Sequence, residues 1–113
     1  MDKVVDVAHL AGWEAAHFRP ALVRGVYRTP CQYDAVGFPD LFLLHPRSGD
    51  RLALELKIWE RRNAGKPEHL AAQARWLTNM NGCGIEAHMR TDRDFDELIV
   101  PRLMAPTNAR TRP

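Results

Sequence analysis

The alternation of apolar and polar positions is sharpest over residues 51–58, where Leu52, Leu54, Leu56 and Ile58 fall on one face of a β-strand and Arg51, Ala53, Glu55 and Lys57 on the other. Just before it, the unbroken apolar run of residues 41–44 predicts a central strand covered on both faces. Pro46, Ser48, Gly49 and Asp50 predict the hairpin turn that joins the two. Near the start, Val4, Val5, Ala8, Leu10 and Ala11 predict a short helix ended by Gly12. Residues 59–65 read as a polar, basic loop. From Pro67, a residue suited to the first helical position, Leu70, Gln73, Leu77 and Met80 recur on one stripe of a helix that Asn81-Gly82 ends. Ile85, Ala87 and Met89 then alternate with Glu86, His88 and Arg90 as a further strand. Thr91 and Asp94 have the spacing of a capping box opening a last helix, with Phe95, Leu98 and Ile99 as its apolar positions and Pro101 as its kink or end. Residues 13–36 show no clean period, and so long a structureless connection in a small domain is expected to carry function.

Composition narrows the picture modestly. A chain of 113 residues with 45% hydrophobic side chains can bury one core, so a single domain over residues 1–104 is expected, with 105–113 a flexible basic tail. The formal charge of +2 does not announce a nucleic-acid partner, yet 13 of the 16 basic residues are arginine, the side chain suited to gripping phosphate bidentately. Arg19, Arg24 and Arg28 precede the alternating strand, and Arg61, Arg62 and Lys66 follow it. These are either solvated loops or a phosphate-binding surface. Cys31 and Cys83 are too few and too far apart for a zinc site and read as reduced thiols, which implies the cytoplasm. No stretch approaches the roughly 20 apolar residues that span a bilayer, and no Gly-rich phosphate loop, Ser-His-Asp arrangement or organic-cofactor motif is present.

The candidate chemistry lies in Asp40, Glu55 and Lys57. Glu55 and Lys57 share a strand face at the edge of a core, where ionised groups are costly unless paired. A divalent cation bridging Asp40 and Glu55 would pair them. Hard oxygen donors such as these two carboxylates and the backbone carbonyl of Leu56 suit Mg²⁺ or Mn²⁺. Hydrolysis of a phosphodiester needs added positive charge and an activated water, which such an ion supplies, and a compact ammonium such as Lys57 suits the remaining task. The plain alternative makes Asp40 the end of a turn after Pro39 and the other two a same-face ion pair. Gln73 interrupts the apolar stripe of its helix. It is either a satisfied structural amide or a contact to a site water or a nucleic-acid backbone, because a buried amide left unpaired costs on the order of 1–3 kcal/mol. Asp34 reads either as turn chemistry or as an outlying acid of the site.

Taken together, Gly37-Phe38-Pro39-Asp40-Leu41, Glu55-Leu56-Lys57 and Gln73-Ala74-Arg75-Trp76-Leu77 resemble the VRR-NUC branch of the PD-(D/E)XK nuclease superfamily. Upstream, Gly12-Trp13, His17-Phe18-Arg19-Pro20-Ala21, Thr29-Pro30 and Asp34-Ala35 resemble its small stand-alone phage and prophage members. The resemblance implies an α/β, restriction-endonuclease-like core of order α-β-β-β-α-β, with a mixed central sheet flanked by helices. It also implies a metal-dependent DNA endonuclease using Mg²⁺ or Mn²⁺, selective for branched, flapped or four-way-junction DNA, working as a homodimer in the cytoplasm of the host cell if phage-encoded. The family's metal ligands fall on Asp40 and Glu55, its catalytic lysine on Lys57 and its helix glutamine on Gln73. Its first strand falls within residues 23–27, and a DNA-touching loop carries His17, Arg19 and Arg28. One departure stands out. Family members carry an acid in the first helix, whereas Asp2 and Asp6 are the only acids ahead of Gly12. Either one of them substitutes, or the true start lies upstream, or the chain is a catalytically impaired DNA-binding module on the same scaffold.

Overall fold

The structure, a computed structural model, describes residues 1–18, 21–23, 26–28 and 34–107, with 21–23 and 26–28 described by backbone alone. The alternating segment forms the longest strand, β5 (Asp50–Lys57). It pairs antiparallel with β4 (Leu41–His45) through the turn at residues 46–49, and β4 pairs antiparallel with β1 (Glu14–His17). On its other side β5 runs parallel to β6 (Glu86–Thr91). Parallel neighbours need a crossover, and α2 (Pro67–Gly82) supplies it. The result is a compact α/β domain whose mixed, open sheet has the order β1-β4-β5-β6. Helix α1 (Asp2–Leu10) precedes the sheet and α3 (Val100–Met104) follows it. A separate hairpin of β2 (Ala21–Val23) and β3 (Val26–Arg28) is inserted between β1 and β4.

The period-two pattern of β5 sorts the core into two layers. Leu52 and Leu54 join Leu41 and Leu43 of β4 beneath α1 and α3, packed with Val4, Ala8, Trp13, Ile99 and Leu103. Each fully buried leucine contributes about 1.5–3 kcal/mol by transfer from water. The opposite face is thinner: Ala53 and Ala87 pack with Met80 of α2, and Phe38, Phe42, Trp76 and Leu77 close around them. Trp13, 2% exposed, satisfies its indole by donating to the Leu103 carbonyl at 2.8 Å, which ties the end of α3 to the first turn after α1.

Several expectations are corrected. The first strand of the central sheet is Glu14–His17, not a segment within residues 23–27, of which Val23 ends β2 and Val26 and Tyr27 belong to β3. Strand β4 is covered on both faces only over its first part; Leu44 is 42% exposed. Residues 59–61 form a 3₁₀ turn rather than an irregular loop. Pro101 does not end the last helix. A π-helical turn, Phe95–Ile99, comes just before it, and Pro101 lies in the first turn of α3, where a missing N–H costs little. Thr91 and Asp94 do form the capping box. Thr107 donates through both its main-chain N–H and its hydroxyl to Asp50, and residues 108–113 of the expected tail lie outside those described.

Candidate active site

Strand β5 carries Glu55 and Lys57 to the α2 face, the side opposite Leu54 and Leu56. Asp40 arrives from the turn before β4. That turn is held against α2 by contact: a Cβ on Gly37, whose φ is +85°, would lie 2.7 Å from the main chain at Ala72 and Gln73. Only glycine allows so close an approach at that backbone angle. The indole of Trp76 donates to the Asp34 and Val36 carbonyls at 3.0 and 3.1 Å, and Pro39 is fully buried, so the segment has little freedom left. Asp40 Oδ2 then accepts the Leu56 N–H at 3.1 Å, joining the first carboxylate to the strand that bears the second. In a strand the N–H and C=O of one residue face the same neighbour, so the Leu56 carbonyl also faces the Asp40 side. Pairing with β4 stops at Leu41↔Leu54, short of that carbonyl.

Glu55 is only 4% exposed. Its carboxyl is pushed up to about 7, by burial first and by the charge of Asp40 second, against the pull of Lys57 and a main-chain hydrogen bond from Asp40. The Lys57 ammonium stands 3.4 Å from Glu55 Oε2 and donates to Gln73 Oε1 at 2.8 Å. Among the described residues the Lys57 ammonium is thus the cation paired with Glu55, and it is itself shared with an amide. A hard divalent cation fits this donor set, since its charge would offset what Lys57 leaves uncompensated. The donors would be Asp40, Glu55 and the Leu56 carbonyl. No group of three or more His, Cys, Asp or Glu side chains able to hold a metal occurs among the described residues, so any such ion would rest on two carboxylates and main-chain oxygen.

The remaining candidates are dispersed. Asp2 and Asp6 are exposed on α1. His17 pairs with Leu41 in the β1–β4 register, which assigns it to the α1 face at the same end of the sheet, while Phe18 turns to the α2 face and meets Phe38 edge-on. The side chains of Arg19 and Arg28 lie outside the described residues, as does Cys31. Arg61 and Lys66 are exposed; Arg62 is half-buried against Trp59. Asp34 is exposed in a turn, with its carbonyl given to Trp76. Two features escaped the sequence reading. One is the contact of Gly37 with α2, although that glycine opens the quoted motif. The other is the clustering of Trp59, Arg62 and Arg93, which Lys57↔Thr91 pairing brings together from two strand ends.

Comparisons of the chain with protein-family models, curated proteins and solved structures found no match.

Proposed function

We propose that this chain is a divalent-metal-dependent phosphodiesterase acting on nucleic acid. Within that class we read it as a DNA endonuclease of the VRR-NUC type, its element order α-β-β-β-α-β being that of a PD-(D/E)XK core with a hairpin inserted after the first strand. The observation that carries the reading is the buried carboxyl of Glu55 held beside half-buried Asp40, whose combined charge Lys57 offsets only in part.

Asp40, Glu55 and the Leu56 carbonyl would hold Mg²⁺ or Mn²⁺, which when bound supplies positive charge for the phosphate and activation for the attacking water. Lys57 holds a compact ammonium on the same face, positioned to orient that water and to neutralise charge growing on the phosphoryl oxygens. Gln73 keeps the ammonium from collapsing onto Glu55 by accepting from it at the shorter distance. A homodimer that presents two such sites to opposite strands of a branched substrate belongs to the same proposal.

The test is incubation with labelled linear, flapped and four-way-junction DNA in Mg²⁺, Mn²⁺ or chelator. We expect cleavage in metal only, with the branched substrates cut first, and a loss of about 10²- to 10³-fold in Lys57→Ala with DNA binding retained. Exposure of Asp2 and Asp6 favours one second reading, a scaffold that binds DNA without cutting it. DNA affinity with no product under any metal condition would select it.

A further inference from the structure

Beyond Lys57 the chain makes one extended step at Ile58 and enters the turn that begins at Trp59. Thr91 pairs with Lys57, so Asp92 and Arg93 emerge beside this turn from the parallel neighbour β6. Asp92 Oδ1 accepts the Trp59 N–H at 2.8 Å and fixes the turn in place. Over the Trp59 ring lie two guanidinium groups, that of Arg62 at 3.6 Å from the ring centroid and that of Arg93 at 4.7 Å. Arg62 also donates to the Trp59 carbonyl at 2.7 Å.

Two like charges on one indole repel each other, and the π-face offsets only part of that. Their donors are mostly unspent. A guanidinium has five N–H groups. Among the described residues Arg62 uses one of them, on the Trp59 carbonyl, and the one ion pair of Arg93 is with Glu60 at 3.6 Å, where both side chains are more than half exposed and the pair is worth little. A structural tie between two turns would need only the Asp92 bond. Two guanidiniums held over one ring, with donors to spare among the described residues, suit an anion with several oxygens.

We infer that Trp59, Arg62 and Arg93 form a phosphodiester-binding site for the DNA strand that passes through the candidate active site, an inference that rests on reading the chain as acting on DNA. Residue 59 follows Lys57 by two positions, about 7 Å along extended chain, which is comparable with the separation of neighbouring phosphates on one strand. Both groups stand at the carboxyl ends of the parallel pair β5 and β6, the end of such sheets where ligands collect. The Trp59 ring holds both guanidiniums at one place, and Glu60 yields Arg93 to a phosphate.

The test is the salt dependence of binding to a short labelled duplex bearing a flap, measured by fluorescence anisotropy in chelator so that no strand is cut. Arg93 is 60% exposed, so Arg93→Gln does not threaten the fold. We expect it to flatten the slope of log K against log salt by about 1, and Arg62→Gln with Arg93→Gln to flatten it by about 2. Trp59→Leu, which keeps both charges, should weaken binding about tenfold or less. A purely structural role would leave the slope untouched in Arg93→Gln. An unchanged slope overturns this site while leaving metal-dependent cleavage standing; a flattened slope without cleavage by the wild-type chain upholds the site and overturns the hydrolytic reading. A wild-type chain that binds no DNA overturns both.

Discussion

Asp50 and Glu55 stand toward opposite ends of β5, both more than nine-tenths buried, and their environments treat them in opposite ways. Burial works to raise the Asp50 carboxyl, but hydrogen bonds from Thr107 and Arg102 and the charge of Arg102 outweigh it and hold the group down at about 2. Arg102 reaches Asp50 at 2.8 Å and spans to Glu86 at 3.0 and 3.1 Å, and His88 lies 2.9 Å from the same Glu86. Asp50, Glu86 and Arg102 at that end each have an opposite charge within hydrogen-bonding distance. At the other end burial is reinforced by Asp40, and Lys57 does not restore the balance. One strand thus carries a settled carboxylate and an unsettled one. Fold stability alone would favour the first arrangement at both ends, and the second is what makes the Glu55 end the candidate site under the proposed function.

Four measurements break or sharpen that contrast. The largest effect is expected from Asp50→Ala, which strips Arg102 and Thr107 of their acceptor and should cost about 3 kcal/mol in chemical denaturation. Next comes Glu55→Gln, with the opposite sign. The Glu55 carboxyl is raised above its unfolded value of 4.5 to about 7, so folding carries no penalty from it below pH 4.5, an increasing one as pH rises, and the whole of it above 7. Glu55→Gln should therefore gain about 1–2 kcal/mol above pH 7 without divalent metal, and its advantage should vanish near pH 4. Asp50 runs the other way, contributing above pH 4 and losing that contribution as pH falls toward 2. Third, Mg²⁺ or Mn²⁺ at about fivefold over its Kd should add about 1 kcal/mol to the wild-type chain and nothing to Glu55→Gln. A melting temperature indifferent to both ions would remove the distinction between the two ends. The smallest effect is expected from Gln73→Ala: about 0.5 kcal/mol of stability, against a cleavage rate roughly tenfold lower as Lys57 relaxes onto Glu55.

The parts of this fold that were legible are those with a strong local period. Strands β4, β5 and β6, helix α2 with Pro67 at its first turn and the capping box at Thr91 all lie where their residues say. Strand β1 was not legible, because Glu14-Ala15-Ala16-His17 has neither β-branched side chains nor an apolar alternation and becomes a strand only by pairing with β4. Asp40, Glu55, Lys57 and Gln73 do converge, as their placement at the end of one strand, the start of another and a facing helix requires. What spacing hid was contact between distant segments: Gly37 against α2, Arg93 over Trp59, and Arg102 on an aspartate 52 positions earlier. Local patterning cannot report these, since each depends on where two separate elements stop.

The bonds from Arg102 and Thr107 to Asp50 also order events in time. As the chain leaves the ribosome, Asp50 and the turn that precedes it are made about half a chain before Arg102 and Thr107 exist. Until then, the start of β5 holds a charge with nothing to receive it, and closing the leucine layer over it is unfavourable. The last turn of α3 is consequently expected to act as the catch that lets the sheet shut, so a chain cut ahead of residue 102 should be more open to proteolysis at that corner.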